Sequence, residues 1–386
     1  MIQPIIKTYE IIIIGGGPAG LSTALHLAKR APELVCKTII LEKAEYPRPK
    51  LCAGGITIDA EYLLESLALN LNDIPVRLAE SVTLLYKGKG FELKPKYRHP
   101  LKVIQRDEFD HWLVEKARER GIEIREKTLV ENILSENGNV VVETNNGTFH
   151  CRVAVGADGS NGITRGCVLK DNRIRTARLL EIHKTEIAGT LHSDDEATFD
   201  FTPISSGISG YTWDFPTLVK GVPTRCLGIF DNNLQAGRAR RSLKSVFIHN
   251  LQENHYQLGD IQLHGHPLRL FSPFQPFSVP GVLLVGDSAG SDPLFGEGIS
   301  MALGYGLIAA KTIIKSFDLN NYEFNHYRRC ILRSSLGQTL IIRKIIAKIL
   351  YTFDWPWFQR LVWHILKPVV KLAGWIFVLN WAKRLK

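Results

Sequence analysis

The sequence predicts an α/β protein: a Rossmann-type dinucleotide-binding domain, an inserted antiparallel β-sheet domain, and a C-terminal helical tail. Three observations predict it. The apolar run Ile11–Ile14 leads directly into Gly15-Gly16-Gly17-Pro18-Ala19-Gly20 and then a helix-like segment, Leu21 to Arg30. A long strand-like stretch from Thr176 to Leu270 interrupts the α/β pattern. The last 54 residues are basic, aliphatic and rich in tryptophan.

The opening strand, glycine turn and helix form a dinucleotide-binding fingerprint. Gly15 permits the tight turn, and Gly17 lets the backbone approach a pyrophosphate seated on the helix N-terminus. Gly20 lets the helix pack closely on the strand, with Ala19 beside it. The next strand, Thr38–Leu41, ends at Glu42, about 20 residues past the last glycine, where an acid accepts from ribose hydroxyls. A loop rich in Pro and Gly follows, from Tyr46 to Ile56. Ser81–Leu85 and Gly90–Leu93 alternate like strands, and Asp107–Gly121 carries Phe109, Leu113 and Ala117 on one helical face. Turns are expected at Gly138-Asn139 and Asn145-Asn146-Gly147. Arg152–Val155 and Val282–Val285 read as buried strands, and Gly298–Lys315 reads as a long helix. Within the sheet-like stretch one helix is expected near Arg238–Asn254. The nucleotide domain is thus expected to be discontinuous, over residues 1–75, 100–175 and 271–330. Residues 76–99 and 176–270 form the sheet domain, and 331–386 the tail.

With 45% hydrophobic and 22% charged residues, the chain is expected to fold around a large core. Its six cysteines are scattered, without C-x-x-C pairs, so neither a metal site nor a disulfide framework is expected. The N-terminus runs almost directly into the first strand, which predicts a reducing, cytoplasmic setting. The net charge of +10 is concentrated in residues 333–386, which hold ten basic residues and one acid, Asp354. Trp355, Trp357, Trp363, Trp375 and Trp381 lie in the same segment. This mixture points to a membrane interface with anionic head groups rather than to nucleic acid. Pro356 and Pro368 divide the segment into helices, and only 11 uncharged residues separate Lys371 from Lys383. Spanning a bilayer takes about 20, so the expectation is an interfacial anchor and a peripheral association.

Further motifs carry a family resemblance. Arg106-Asp107-Glu108-Phe109-Asp110, Gly156-Ala157-Asp158-Gly159-Ser160-Asn161, Gly286-Asp287 and Pro293-Leu294-Phe295-Gly296-Glu297-Gly298-Ile299 follow the glycine turn in order. Together they resemble flavoprotein oxidoreductases of the para-hydroxybenzoate hydroxylase type. Lys50-Leu51-Cys52-Ala53-Gly54-Gly55 and Gly210-Tyr211-Thr212-Trp213-Asp214-Phe215-Pro216 resemble loops of the geranylgeranyl reductase family within that group. The resemblance covers about residues 8–330 and implies FAD as cofactor. It implies that Gly15, Gly17, Ala19, Gly20 and Glu42 hold the ADP portion. Arg106, Asp158 and Gly159 would lie near the pyrophosphate. Gly286, Asp287, Gly296, Gly298 and Ile299 would lie at the ribityl chain and flavin ring. Gly162 stands where the family commonly has Ser.

The resemblance further implies that Tyr211, Trp213 and Phe215 line a cavity for an isoprenoid lipid or a prenylated small molecule. Cys52 is the candidate for proton delivery in saturating an isoprenoid double bond, with bound water and the flavin itself as rivals. NADPH, docking transiently, or ferredoxin would supply electrons. A flavin monooxygenase on the same fold, or a membrane-bound flavin electron-transfer protein without its own small substrate, stays open. The halogenase motif Trp-x-Trp-x-Ile-Pro is absent.

Overall fold

The computed structural model describes residues 7–96, 98–136, 138–169, 176–184, 195–234, 241–256 and 263–385. Two large sheets organise it. The first has six strands in the order Ser278–Val279, Val282–Leu284, Val153–Gly156, Ile11–Ile14, Thr38–Leu41, Glu123–Arg125. Five of these run parallel, and Ser278–Val279 pairs antiparallel at one edge. Ile11–Ile14 sits near the centre with all four side chains buried, as in a parallel sheet covered on both faces. The helix Pro18–Arg30 packs against the long helix Ile299–Asp318, so residues nearly 300 positions apart share one core.

The second sheet has seven strands in the order His264–Arg269, Thr176–Lys184, Val222–Asp231, Gly210–Val219, Glu196–Asp200, Ser81–Tyr86, Lys89–Leu93. All neighbours pair antiparallel except Glu196–Asp200 with Ser81–Tyr86. A four-stranded sheet of Lys7–Thr8, Gly147–Cys151, Asn139–Thr144 and Val130–Glu136 flanks the parallel sheet, and its hairpins close where the Gly and Asn turns were expected. A small third sheet pairs Leu101–Val103 with Gly55–Ile56 and Arg77–Ala79. This is the α/β architecture read from the sequence.

Element ends differ from the sequence reading by a few residues. The first helix starts at Pro18, whose fixed φ suits the first helical turn, rather than at Leu21. The helix expected near Arg238–Asn254 occupies Leu243–Glu253, capped by Ser242; Arg238 lies outside the described residues. The tail forms the helices Ser335–Thr352, Pro356–Arg360 and Lys367–Ala373, with π-helical turns at Leu361–Ile365 and Gly374–Val378. Both prolines lie in the first turns of new helices, where the missing N–H costs nothing.

The tail is not a separate appendage. Trp381 is fully buried against Gly304 of the long helix, and the Asp59 carboxylate accepts from the Asn380 and Ala382 backbone N–H groups. Trp363 stacks on Phe201 at 4.1 Å, and Lys371 donates to the Glu92 carbonyl. Trp355, Trp357 and Trp375 are exposed. The five tail tryptophans therefore divide between core and surface, a division that helical spacing alone does not encode. No helix among the described residues is long and apolar enough to cross a membrane.

Candidate active site

The glycine turn is built as its spacing demands. Gly15 has φ +103°, and a Cβ there would collide with the Ala157 carbonyl oxygen. A Cβ on Gly20 would collide with the Gly15 carbonyl oxygen and press on Ile13. Gly17 is different. It stands at the helix N-terminus without a side-chain cap, and the nearest atom to its missing Cβ is Arg48 Nη2 at 3.8 Å. Glu42 is buried; its Oε2 accepts from Gly16 N at 2.9 Å and its Oε1 from Ala44 N at 3.0 Å. Glu42 thus fixes the turn from behind, with lone pairs to spare.

Three separated segments close on this turn. Ala19 sits against Gly286 (φ +59°), where any Cβ would press on its methyl group. Asp158 Oδ2 accepts from Thr164 N and Oγ1, and its Oδ1 accepts from Ser288 Oγ. A Cβ on Gly162 would strike the Asp158 carboxylate, so the glycine at this departure from the family pattern is demanded by the turn itself. Gly159 (φ +77°) faces open space. Asp287 lies near Ser160, Lys50 and Arg106; burial raises its carboxyl above the usual range, and the two cations oppose that. Gly298 caps the long helix without a side chain, and Ile299 is buried directly behind it. Gly296 (φ +65°) lets the preceding turn pass the Phe230 ring.

Arg106 is engaged within the protein. Its Nε and Nη2 donate to the two oxygens of Asp110 at 2.8 and 3.0 Å, and its guanidinium also lies beside Cys52. Arg48, which the sequence reading did not single out, approaches the same Asp110 at 3.3 Å and Glu42 at 3.7 Å.

The Cys52 loop packs against the aromatic strand. Cys52 Sγ accepts from Gly54 N at 3.4 Å, and Gly54 (φ +74°) turns so tightly that a Cβ would enter the Ile104 carbonyl. Phe215 reaches Gly55, and Tyr211 Oη donates to the Phe295 carbonyl at 2.6 Å. Trp213 lies flat on Gly228 of the neighbouring strand. All three aromatic side chains are buried, within an apolar cluster that includes Phe199, Phe201 and Phe230.

Sequence reasoning missed the charged centre of this region. Arg343, 1% exposed, donates to Asp292 Oδ2 at 2.8 Å and Glu297 Oε2 at 2.7 Å. Asp292 also accepts from Leu294 N and Phe295 N, and Glu297 Oε1 accepts from Thr57 and Ser300. Burial opposes the Glu297 charge, but Arg343 and these donors hold its carboxyl below the usual range. The tail thereby clamps the turn that leads into the long helix. A signal was present: Leu336, Leu340, Arg343 and Ala347 repeat at helical spacing on the buried face, placing a cation on an apolar stripe. Lys50 and His266, 3.0 Å apart, form a second missed pair, and burial with Lys50 holds the imidazole down to about 4.

These residues fit a dinucleotide flavin. Two helix N-termini, at Gly17 and Gly298, present N–H groups with no side-chain cap, as phosphate oxygens and an anionic ring require. The glycines beside them leave room for backbone approach, and the acids Glu42 and Asp287 suit hydroxyl donors.

Residues 8–212 match the FAD binding domain family. The chain belongs to that family. This flavoprotein is an FAD-dependent oxidoreductase, and the resemblance to geranylgeranyl reductases read from its motifs is borne out by its relatives. It is 29% identical to digeranylgeranylglycerophospholipid reductase 2 of Methanopyrus kandleri, over 83% of this chain and 81% of that one. Its fold matches that of a geranylgeranyl bacteriochlorophyll reductase-like protein of Thermoplasma acidophilum, with TM-score 0.81, 22% identity and 98% of each chain covered. The flavin-dependent brominase Bmp2 shares the fold at TM-score 0.71 and 19% identity, over 96% of this chain and 94% of that one.

Proposed function

We propose that this flavoprotein saturates C=C double bonds of an isoprenoid, geranylgeranyl-type chain. One observation carries the reading: the Lys50–Gly55 loop and the Tyr211–Trp213–Phe215 strand face converge where the long helix begins, through Phe215 on Gly55, Tyr211 on Phe295 and Thr57 on Glu297. Reduced FAD supplies a hydride when bound there. Gly15, Gly17, Ala19, Gly20 and Glu42 would hold its adenosine and pyrophosphate end. Arg106, Asp158, Gly159, Gly286 and Asp287 would hold its middle, and Gly296, Gly298 and Ile299 its ring. The aromatic strand gives a hydrocarbon chain apolar surface and excludes water, which positions an alkene that has no polar handle. Cys52 stands at the edge of that surface. NADPH or ferredoxin would recharge the flavin.

The tail supports a peripheral seat on membrane. Trp355, Trp357, Ile365, Val369, Leu372 and Trp375 are exposed on it among lysines and arginines, as at a lipid interface. A lipid-tailed substrate would then reach the site from the bilayer.

The test is anaerobic. The detergent-purified flavoprotein is reduced with dithionite and mixed with a geranylgeranyl lipid, and flavin absorbance and lipid mass are followed. Reoxidation with a gain of two hydrogens per bond is expected. A flavin that stays reduced until oxygen enters would shift the reading to a monooxygenase, which the fold shared with the brominase makes the second choice.

A further inference from the structure

Glu181 lies in the strand Thr176–Lys184 and is only 1% exposed. It stands in register with Gly228, which stands in register with Trp213. Directly paired residues on neighbouring strands point to the same face of a sheet. Glu181 therefore shares the face of Tyr211, Trp213 and Phe215, and Gly228 between them carries no side chain to separate it from the Trp213 ring. Its Oε1 accepts from the Cys52 backbone N–H at 3.4 Å. Its Oε2 is buried and makes no well-formed hydrogen bond among the described residues, the Cys226 thiol being the polar group beside the carboxyl. A carboxyl oxygen in such a place is costly as a charged acceptor and serves naturally as a protonated donor.

We propose that the Glu181 carboxylic acid is the proton donor in alkene saturation. The inference rests on the reductase reading above and names a residue for the step that reading leaves open. The Glu181 O–H bond breaks, and its proton forms a C–H bond at the alkene carbon next to the one that receives the hydride. The π bond is consumed, the alkene gains two electrons, the flavin loses two, and Glu181 is left as a carboxylate. Water reprotonates it between turnovers.

The surroundings suit the task. Burial pushes the carboxyl up to about 7, against the opposing pull of the Cys52 N–H, the Cys226 thiol and the Arg106 guanidinium. His264 stands in register on the strand at the other side, His264–Arg269. The acid is thus held protonated near neutrality beside an apolar surface, and Cys52, through its backbone, orients it.

Two readouts test the assignment. Infrared difference spectra of the oxidised holoprotein should contain a protonated-carboxyl band that disappears as pH rises through about 7 and is missing in E181Q. In the anaerobic assay, E181Q should keep bound flavin and its reduction by dithionite, yet reoxidise with the prenyl lipid at least about 100-fold more slowly, the usual scale for a lost general acid. E181D should recover part of the rate, and the wild-type rate should fall on the alkaline side of the same titration. An E181Q rate within a few-fold of wild type, a missing carboxyl band, or loss of proton delivery in C52S alone would overturn the assignment while leaving the reductase reading intact. A wild-type flavin that no prenyl lipid reoxidises would overturn both, and is distinguished by the wild-type trace alone.

Discussion

The glycine turn and the C-terminal tail contribute to the same site by opposite means. The turn works through what it lacks: Gly15 and Gly20 have no side chains because backbone oxygens occupy the space. The φ of +103° at Gly15 and the closeness of Gly20 to the Gly15 carbonyl are set within the turn and therefore printed in a short motif, while the Ala157 carbonyl adds a distant constraint on Gly15. The tail works through one long side chain, Arg343, carried to Asp292 and Glu297 across about 50 residues of sequence. Its constraint exists only after folding. A site can thus rest equally on a motif that any reader recognises and on a residue that looks like one more surface cation.

The sharpest test of this equivalence is R343M. It leaves Asp292 and Glu297 buried without their cation, and should cost about 3–5 kcal/mol in chemical denaturation, with flavin lost in the same transition. A tail that melted separately, leaving the flavin bound, would break the comparison. Next in size is a contrast of two glycines. G20A drives a Cβ into the Gly15 carbonyl, which cannot yield, and should cost roughly 3 kcal/mol and empty the flavin site, read from the visible absorbance of the purified protein. G304A meets only the rim of the Trp381 ring, at 2.7 Å, and should cost roughly 1 kcal/mol with flavin retained.

Smaller again is a pH effect that spans both regions. Burial pushes Asp59, which holds the chain end, up to about 6, and Glu181 up to about 7. Both values lie above those of the unfolded chain, so the folded protein binds the extra protons. The stability they contribute is full below the unfolded values, near 4, and is lost as pH rises through about 6 and about 7. Melts between pH 5 and pH 8 should show a decline on the order of 1 kcal/mol from each group, and E181Q should flatten its share. The smallest stability effect belongs to the exposed face of the tail. Serine at Trp355, Trp357 and Trp375 should change stability by less than about 0.5 kcal/mol per site, yet reduce sedimentation with anionic vesicles. Undiminished sedimentation would remove the membrane seat and leave the tail as a clamp alone.

Much of the architecture was legible because period and punctuation are local. Ile11–Ile14, Thr38–Leu41 and the long helix after Gly298 were read within a few residues of their observed ends. The sequence shows Gly162 where the family commonly has Ser, but only the folded turn shows the Asp158 carboxylate lying over it. The tail was read by composition, which records how many tryptophans it has but not that Trp363 and Trp381 are buried.

By itself the sequence determined the α/β class, the strand–turn–helix cradle and the aromatic strand, because each is fixed by neighbours within a turn or a pleat. Only the tertiary structure decided that Arg343 faces Asp292 and Glu297, and that Glu181 lies one glycine away from Trp213. Charge pairing across a core and register across a sheet depend on which distant segments meet. That choice is made by the burial of the whole chain, not by any stretch of it.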